Sequence, residues 1–216
     1  MAKLQAELIR TLLEFISQPQ ADENAFNSLA LSLFAHQVQY NTAYGRFCRL
    51  RGRTPATVRN WQDIPAVPVN SFKEFTLSCE PEDSCERGFT TSGTTREVKG
   101  QHFHVDLQVW DASMRRHFAD CVSPLPIRMG ILFPTEAELP NSSLARYLQL
   151  ALQDHGLPGS AHLMSTESVG MTDVQLMVQS AQALLFCSAG IWLSSIFCLR
   201  ARLCVDMFIS TCCACM

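Results

Sequence analysis

Apolar residues recur at helical spacing from the first turn of the chain. Leu4, Leu8 and Leu12, with Ile9, Leu13, Phe15 and Ile16 beside them, predict an amphipathic helix that ends near Pro19. Asp22 has the short acceptor side chain of an N-cap. A second helix is expected after it, with Phe26, Leu29, Ala30, Leu33, Phe34 and Val38 as its stripe. From Asn41 to Phe75 the periodicity loosens. Thr54-Pro55 reads as the start of a short helix, and Pro65 and Pro68 make 64–69 extended. Ser71 reads as a helix cap, with Glu74 completing a capping box.

Beyond residue 100 the pattern alternates between strand and helix. Gln101 to Val105 reads as a strand with His102 and His104 on one face, where exposed or hydrogen-bonded histidines are the ordinary outcome. Asp106 is placed to cap a helix reaching Cys121, with Leu107, Trp110, Met114, Phe118 and Cys121 as its stripe. Gly130 to Phe133 reads as a short buried strand ending at Pro134. Asn141 or Ser142 caps a helix lined by Leu144, Leu148, Ala151 and Leu152, which Gly156 stops. Together these elements predict an α/β chain with a helical N-terminal region.

The most informative stretch for chemistry is Thr90 to Lys99, TTSGTTREVK. Thr91, Ser92, Gly93, Thr94 and Thr95 are consecutive small or hydroxylated residues following Phe89-Thr90, and Lys99 lies four positions on. Glycine lets the backbone approach oxygen atoms, hydroxyls donate hydrogen bonds, and a turn aims several N–H groups at one anion. A nearby ammonium adds a point charge. A Ser/Thr-rich surface loop has the same composition. A Walker P-loop is excluded, because no Gly-Lys-Ser/Thr follows Gly93 at the required spacing.

The stretch resembles the phosphate loop of the adenylate-forming enzymes, T-S-G-T-T-G-x-P-K. Thr91, Ser92, Gly93, Thr94, Thr95 and Lys99 match it position for position. Arg96 stands where glycine is usual and Val98 where proline is usual. Upstream, Asn41-Thr42-Ala43-Tyr44, Trp61 to Pro68 (WQDIPAVP) and Phe72-Lys73 follow the order of motifs in the phenylacetate-CoA ligases and the acyl-protein synthetases of bacterial bioluminescence. Downstream, ILFPTEAELPNSSLARYL is more similar to the acyl-protein synthetases.

The resemblance runs from about residue 30 to about residue 180. It implies the N-terminal part of the adenylate-forming fold, left incomplete. Thr91 to Thr95 and Lys99 would be the nucleotide-binding residues, ATP and Mg2+ the cofactors, and a fatty acid or other carboxylic acid the substrate. An acyl-protein or acyl-CoA-type reductase is the implied partner. The activity implied is ATP-dependent formation of an acyl-adenylate and transfer of the acyl group to a protein thiol. No catalytic residue is assigned and no metal ligand is expected. The family's later aromatic-Gly-x-Thr-Glu motif, ribose aspartate, C-terminal lysine domain and acyl-accepting cysteine have no counterpart in these residues. A non-catalytic truncated fragment and a CoA ligase acting on a small aromatic acid are therefore the alternatives.

Composition adds bounds. At 216 residues, 47% apolar and 17% charged, the chain is long enough for one domain or one and a fraction. A formal net charge of −3 gives no electrostatic case for nucleic acid. Glu7, Arg10 and Glu14 interrupt every early apolar run, so no signal peptide is expected and the cytoplasm is the default location.

Six of the ten cysteines (Cys187, Cys198, Cys204, Cys212, Cys213 and Cys215) fall in 187–216, a stretch with only Arg200, Arg202 and Asp206 charged. Leu184 to Leu199 is an uncharged run of sixteen residues, just short of a comfortable membrane span. The division expected is 1–186 as the family-like portion and 187–216 as an atypical tail. Loss of the original reading frame near residue 186 is favoured over a tail anchor or a redox or metal tail, and membrane association is not expected.

Overall fold

A computed structural model describes residues 2–20, 22–68, 70–90, 99–167 and 183–187. They are mixed helix and sheet, and the chain divides into two compact units, Met1–Ala112 and a second beginning at Ser113.

In the first unit, α1 (Ala2–Ser17) and α2 (Glu23–Tyr40) form where the periodicity places them. The Asp22 carboxylate accepts from the backbone N–H of Asn24 and Ala25, satisfying donors that the first helical turn leaves open. Leu12 and Ile16 of α1 pack with Phe26, Leu29, Ala30 and Leu33 of α2. Each leucine, isoleucine or phenylalanine side chain, when fully buried, contributes roughly 1.5–3 kcal/mol relative to exposure. Gln37 is buried at the end of the α2 stripe, whereas Val38 is only half-buried.

A third helix, α3 (Thr42–Leu50), occupies a stretch that the apolar pattern leaves unassigned. Its cap is Asn41, whose side chain accepts from the Tyr44 N–H, and Tyr44 and Cys48 join Phe34 and Val58 in a second cluster. Thr54-Pro55 starts a closed turn instead of the expected helix. Thr57 and Val58 both donate to the Thr54 carbonyl and the Thr57 hydroxyl accepts from the Thr54 N–H, but the turn is not continued past Val58. A single 3-10 turn follows at Trp61–Asp63.

The expected capping box does not form either. In α4 (Ser71–Glu74), Ser71 is already the first helical residue, and the N-cap, Asn70, makes no side-chain cap bond. Strands β1 (Arg87–Thr90) and β2 (Gln101–His104) pair antiparallel, with Thr90 opposite Gln101.

The next helix, α5 (Gln108–Cys121), begins before the division and continues past it. At its start the Asp106 carboxylate accepts from the Gln108 N–H, as expected, and the Glu86 carboxylate accepts from the Leu107 N–H.

In the second unit, β3 (Arg128–Leu132), β4 (Ala161–His162) and β5 (Ala183–Cys187) form a parallel sheet in the order β4-β3-β5. Parallel neighbours need a crossover, which α6 (Ser143–His155) provides between β3 and β4. Ser142 caps α6 by accepting from the Ala145 N–H, and Gly156 ends it. Met129 and Ile131 of β3 pack with Phe118 of α5 and with Tyr147, Leu148 and Ala151 of α6. Cys121, expected on the buried stripe of α5, is only half-buried.

Strand β5 ends on Cys187, so the uncharged run from Leu184 starts inside a strand paired with β3. Among the described residues no helix is long and apolar enough to cross a membrane.

Candidate functional site

Thr91, Ser92, Gly93, Thr94 and Thr95, the residues expected to hold phosphate, lie outside the described residues; their flanks do not. The ladder pairs Thr90 with Gln101, so the two ends of segment 91–100 are held about 5 Å apart across an antiparallel pair. Phe89, buried on β1, anchors the incoming strand through ring contacts to His104 and Trp110, with centroids 5.3 and 5.2 Å away. Lys99 is exposed at the outgoing end, next to the buried Gly100.

Gly100 fixes that end against α4. A Cβ at this position would lie 3.1 Å from the Phe72 Cβ and 3.2 Å from the Phe72 carbonyl carbon and oxygen. Two of those neighbours are backbone, so a side chain here would need the Phe72 backbone to give by a few tenths of an ångström, and glycine allows the approach without that shift. Two residues on, the His102 ring stacks on Phe72 with centroids 3.9 Å apart and planes inclined by 11°. Burial holds the His102 imidazole below the usual histidine range, so its neutral form is favoured. Lys73 is the residue after Phe72, on the same short helix.

The upstream motifs reach the same place through packing. The Tyr44 hydroxyl donates to the Pro65 carbonyl oxygen at 2.8 Å. Ala43 and Val67 pack on Phe72 and Leu77. The segments 41–44, 61–68 and 72–73 therefore form one connected body, and Phe72 carries that body to Gly100 and His102, just after segment 91–98. Tyr44 is buried, and desolvation raises its phenol far above the ordinary tyrosine range, so it acts as a neutral donor.

Sequence reasoning missed Gly100 and the stacking role of His102. The glycine follows Lys99 directly, but its constraint comes from Phe72, 28 positions earlier, and no local pattern encodes that contact.

In the second unit, the ILFPTEAELPNSSLARYL stretch runs from the end of β3 through a tightly bonded turn into α6. The Glu138 carboxylate accepts from the Thr135 N–H at 2.9 Å and from its hydroxyl at 2.8 Å. The Thr135 N–H and hydroxyl hold the Glu138 carboxyl below the usual glutamate range. Glu136 pairs with Arg146 of α6 at 2.9 Å. His162, at the end of β4, makes a 2.7 Å contact from Nδ1 to the Phe133 carbonyl oxygen. These bonds fix the turn that links strand to helix.

Among the described residues, no group of three or more His, Cys, Asp or Glu side chains could hold a metal ion. An ion accompanying a nucleotide would be carried by the phosphates, as Mg2+ commonly is.

No protein-family model matches the chain, and no curated protein matches it in sequence.

Proposed function

We propose that this chain is related to the adenylate-forming acyl-protein synthetases and that segment 91–99 is its nucleotide-phosphate loop. The reaction class is ATP-dependent activation of a fatty acid, with acyl transfer to a protein thiol. One observation carries the proposal. Three motifs matched in the order of that family, Asn41 to Tyr44, Trp61 to Pro68 and Phe72-Lys73, are physically joined through Tyr44–Pro65 and the Phe72 cluster, and they meet the foot of the candidate loop at Gly100.

In the reaction a carboxylate oxygen attacks the α-phosphorus and pyrophosphate leaves. The work of this chain would be to position and neutralise the phosphates. Ser92, Thr94 and Thr95 would donate from their hydroxyls, the backbone at Gly93 would approach closely, and Lys99 would supply charge. The paired ends at Thr90 and Gln101 would reduce the ordering cost of closing such a loop on an anion.

Exchange of labelled pyrophosphate into ATP tests this, with fatty acids and small aromatic acids supplied in turn. Exchange dependent on a fatty acid supports the proposal. Exchange with aromatic acids alone points to a CoA-ligase relative. No exchange with any acid, together with no nucleotide binding, defeats it.

A further inference from the structure

Residues 41–62 contain five arginines (Arg46, Arg49, Arg51, Arg53 and Arg59) and no aspartate or glutamate, in a chain of formal net charge −3. All five are exposed, and four gather at the end of α3. Arg46, Arg49 and Leu50 stand at i, i+3 and i+4 and so share one face of the helix. The chain then folds back on its last turn: the Arg51 and Arg53 N–H groups both donate to the Cys48 carbonyl, and Gly52 turns the backbone at φ 67°. At the centre Leu50 is 80% exposed, the most exposed large apolar side chain among the described residues.

Little neutralises this tip. The Arg51 guanidinium lies 4.5 Å from the Phe47 ring centroid, which leaves its charge intact. Arg53 comes within 3.8 Å of Asp63, both side chains being exposed. A cation at a helix C-terminus complements the helix dipole, which accounts for Arg49 but not for four guanidinium groups around a bare leucine.

We propose that the Arg46–Arg53 tip is a docking surface for an anionic lipid bilayer. Guanidinium forks match phosphate oxygens, and each cation near an anionic membrane adds to binding. Leu50 is placed to enter the interface between headgroups and acyl chains. A protein partner would need a broader apolar centre than one leucine. Acidic residues elsewhere do not cancel the attraction, because charges beyond about 8 Å are screened at physiological ionic strength. The proposal is independent of the nucleotide site and replaces the sequence expectation of no membrane association.

The test is flotation of the full chain, under reducing conditions, with phosphatidylcholine vesicles with and without phosphatidylserine. Binding is expected only with phosphatidylserine, and added salt should weaken it. The triple variant Arg46→Gln, Arg49→Gln, Arg51→Gln should bind about a hundredfold more weakly, near fivefold per arginine. The matching triple lysine variant should retain binding, and Leu50→Ser should lose a smaller factor. Equal binding to neutral vesicles, or undiminished binding by the glutamine variant, would place any membrane contact elsewhere in the chain and overturn the proposal. Salt-sensitive self-association without lipid, abolished by the glutamine variant, would assign the tip to a second copy and overturn it equally.

Discussion

The Tyr44 hydroxyl donates to the Pro65 carbonyl oxygen at 2.8 Å, tying the first turn of α3 to the proline-containing segment that leads to α4. Both residues lie in stretches with little apolar periodicity, yet the bond between them is buried. Tyr44→Phe keeps the ring in its cluster with Phe34 and Cys48 and leaves the Pro65 carbonyl without that donor. Urea denaturation should show a loss of about 1–3 kcal/mol. A midpoint equal to wild type would show that the carbonyl finds another donor.

Gly100→Ala places a methyl group against the Phe72 backbone at 3.1–3.2 Å. Overpacking of this kind costs about 1–3 kcal/mol, which should appear as a lowered melting temperature. If segment 91–99 holds phosphate, the same variant should also weaken ATP binding, because the shift falls on the residue next to Lys99. Stability and affinity both unchanged would mean that Phe72 yields easily.

Lys99→Ala and Thr94→Ala bear directly on the phosphate assignment. Lys99 is exposed, so removing it should leave the melting temperature unchanged. Each variant should raise the ATP dissociation constant about tenfold, the scale of one charge-assisted hydrogen bond. Isothermal titration of wild type and both variants decides: equal affinities would remove the loop from the nucleotide site.

Acid should destabilise the fold through histidines that are buried or half-buried. Burial lowers the pKa of His36, His102 and His117 in the folded state, opposed by Glu80 at His36 and by Asp120 at His117. The unfolded chain then binds more protons than the folded chain once pH falls below the unfolded histidine value of about 6.5. Stability is therefore retained above that value and lost as pH descends toward the folded values. Denaturation midpoints at pH 7, 6 and 5 should fall in that order. In His102→Phe, which keeps a ring against Phe72, the fall should be shallower. An identical slope would exclude His102 as a contributor.

Truncation separates the tail from the sheet. Deleting 188–216 should leave the melting temperature unchanged, as an unselected stretch predicts. Deleting 183–216 should lower it, because β3 then loses its five-residue pairing with β5. A clear loss in the shorter deletion, under reducing conditions, would show that 188–216 supports the fold.

Much of the architecture was legible because it is local. The stripes of α1 and α2, the Asp22 cap, the strand at Gln101–His104 and the helix Ser143–His155 each follow from residues within a few turns of one another. Cap and period are written in short windows, since a helix satisfies its own backbone. The errors share the opposite cause. Helix α3 is short and broken up by Gly45, Arg46 and Arg49, and Tyr44 and Cys48 find their partners in Phe34 and Val58. The Ser71–Glu74 box matched a pattern, but the chain enters that helix one residue earlier, at Asn70.

By itself, the sequence determined the α/β alternation, the two N-terminal helices and a hydroxyl-rich segment of a type suited to phosphate. Tertiary structure alone decided that the ends of that segment are paired at Thr90 and Gln101, and that Phe72 closes over Gly100. It also decided that the apolar run at residue 184 begins as a strand beside β3. The physical reason is one of range. Helical period and capping are settled by neighbours in the chain, whereas strand pairing and close backbone contact depend on groups brought together only when distant segments exclude water between them.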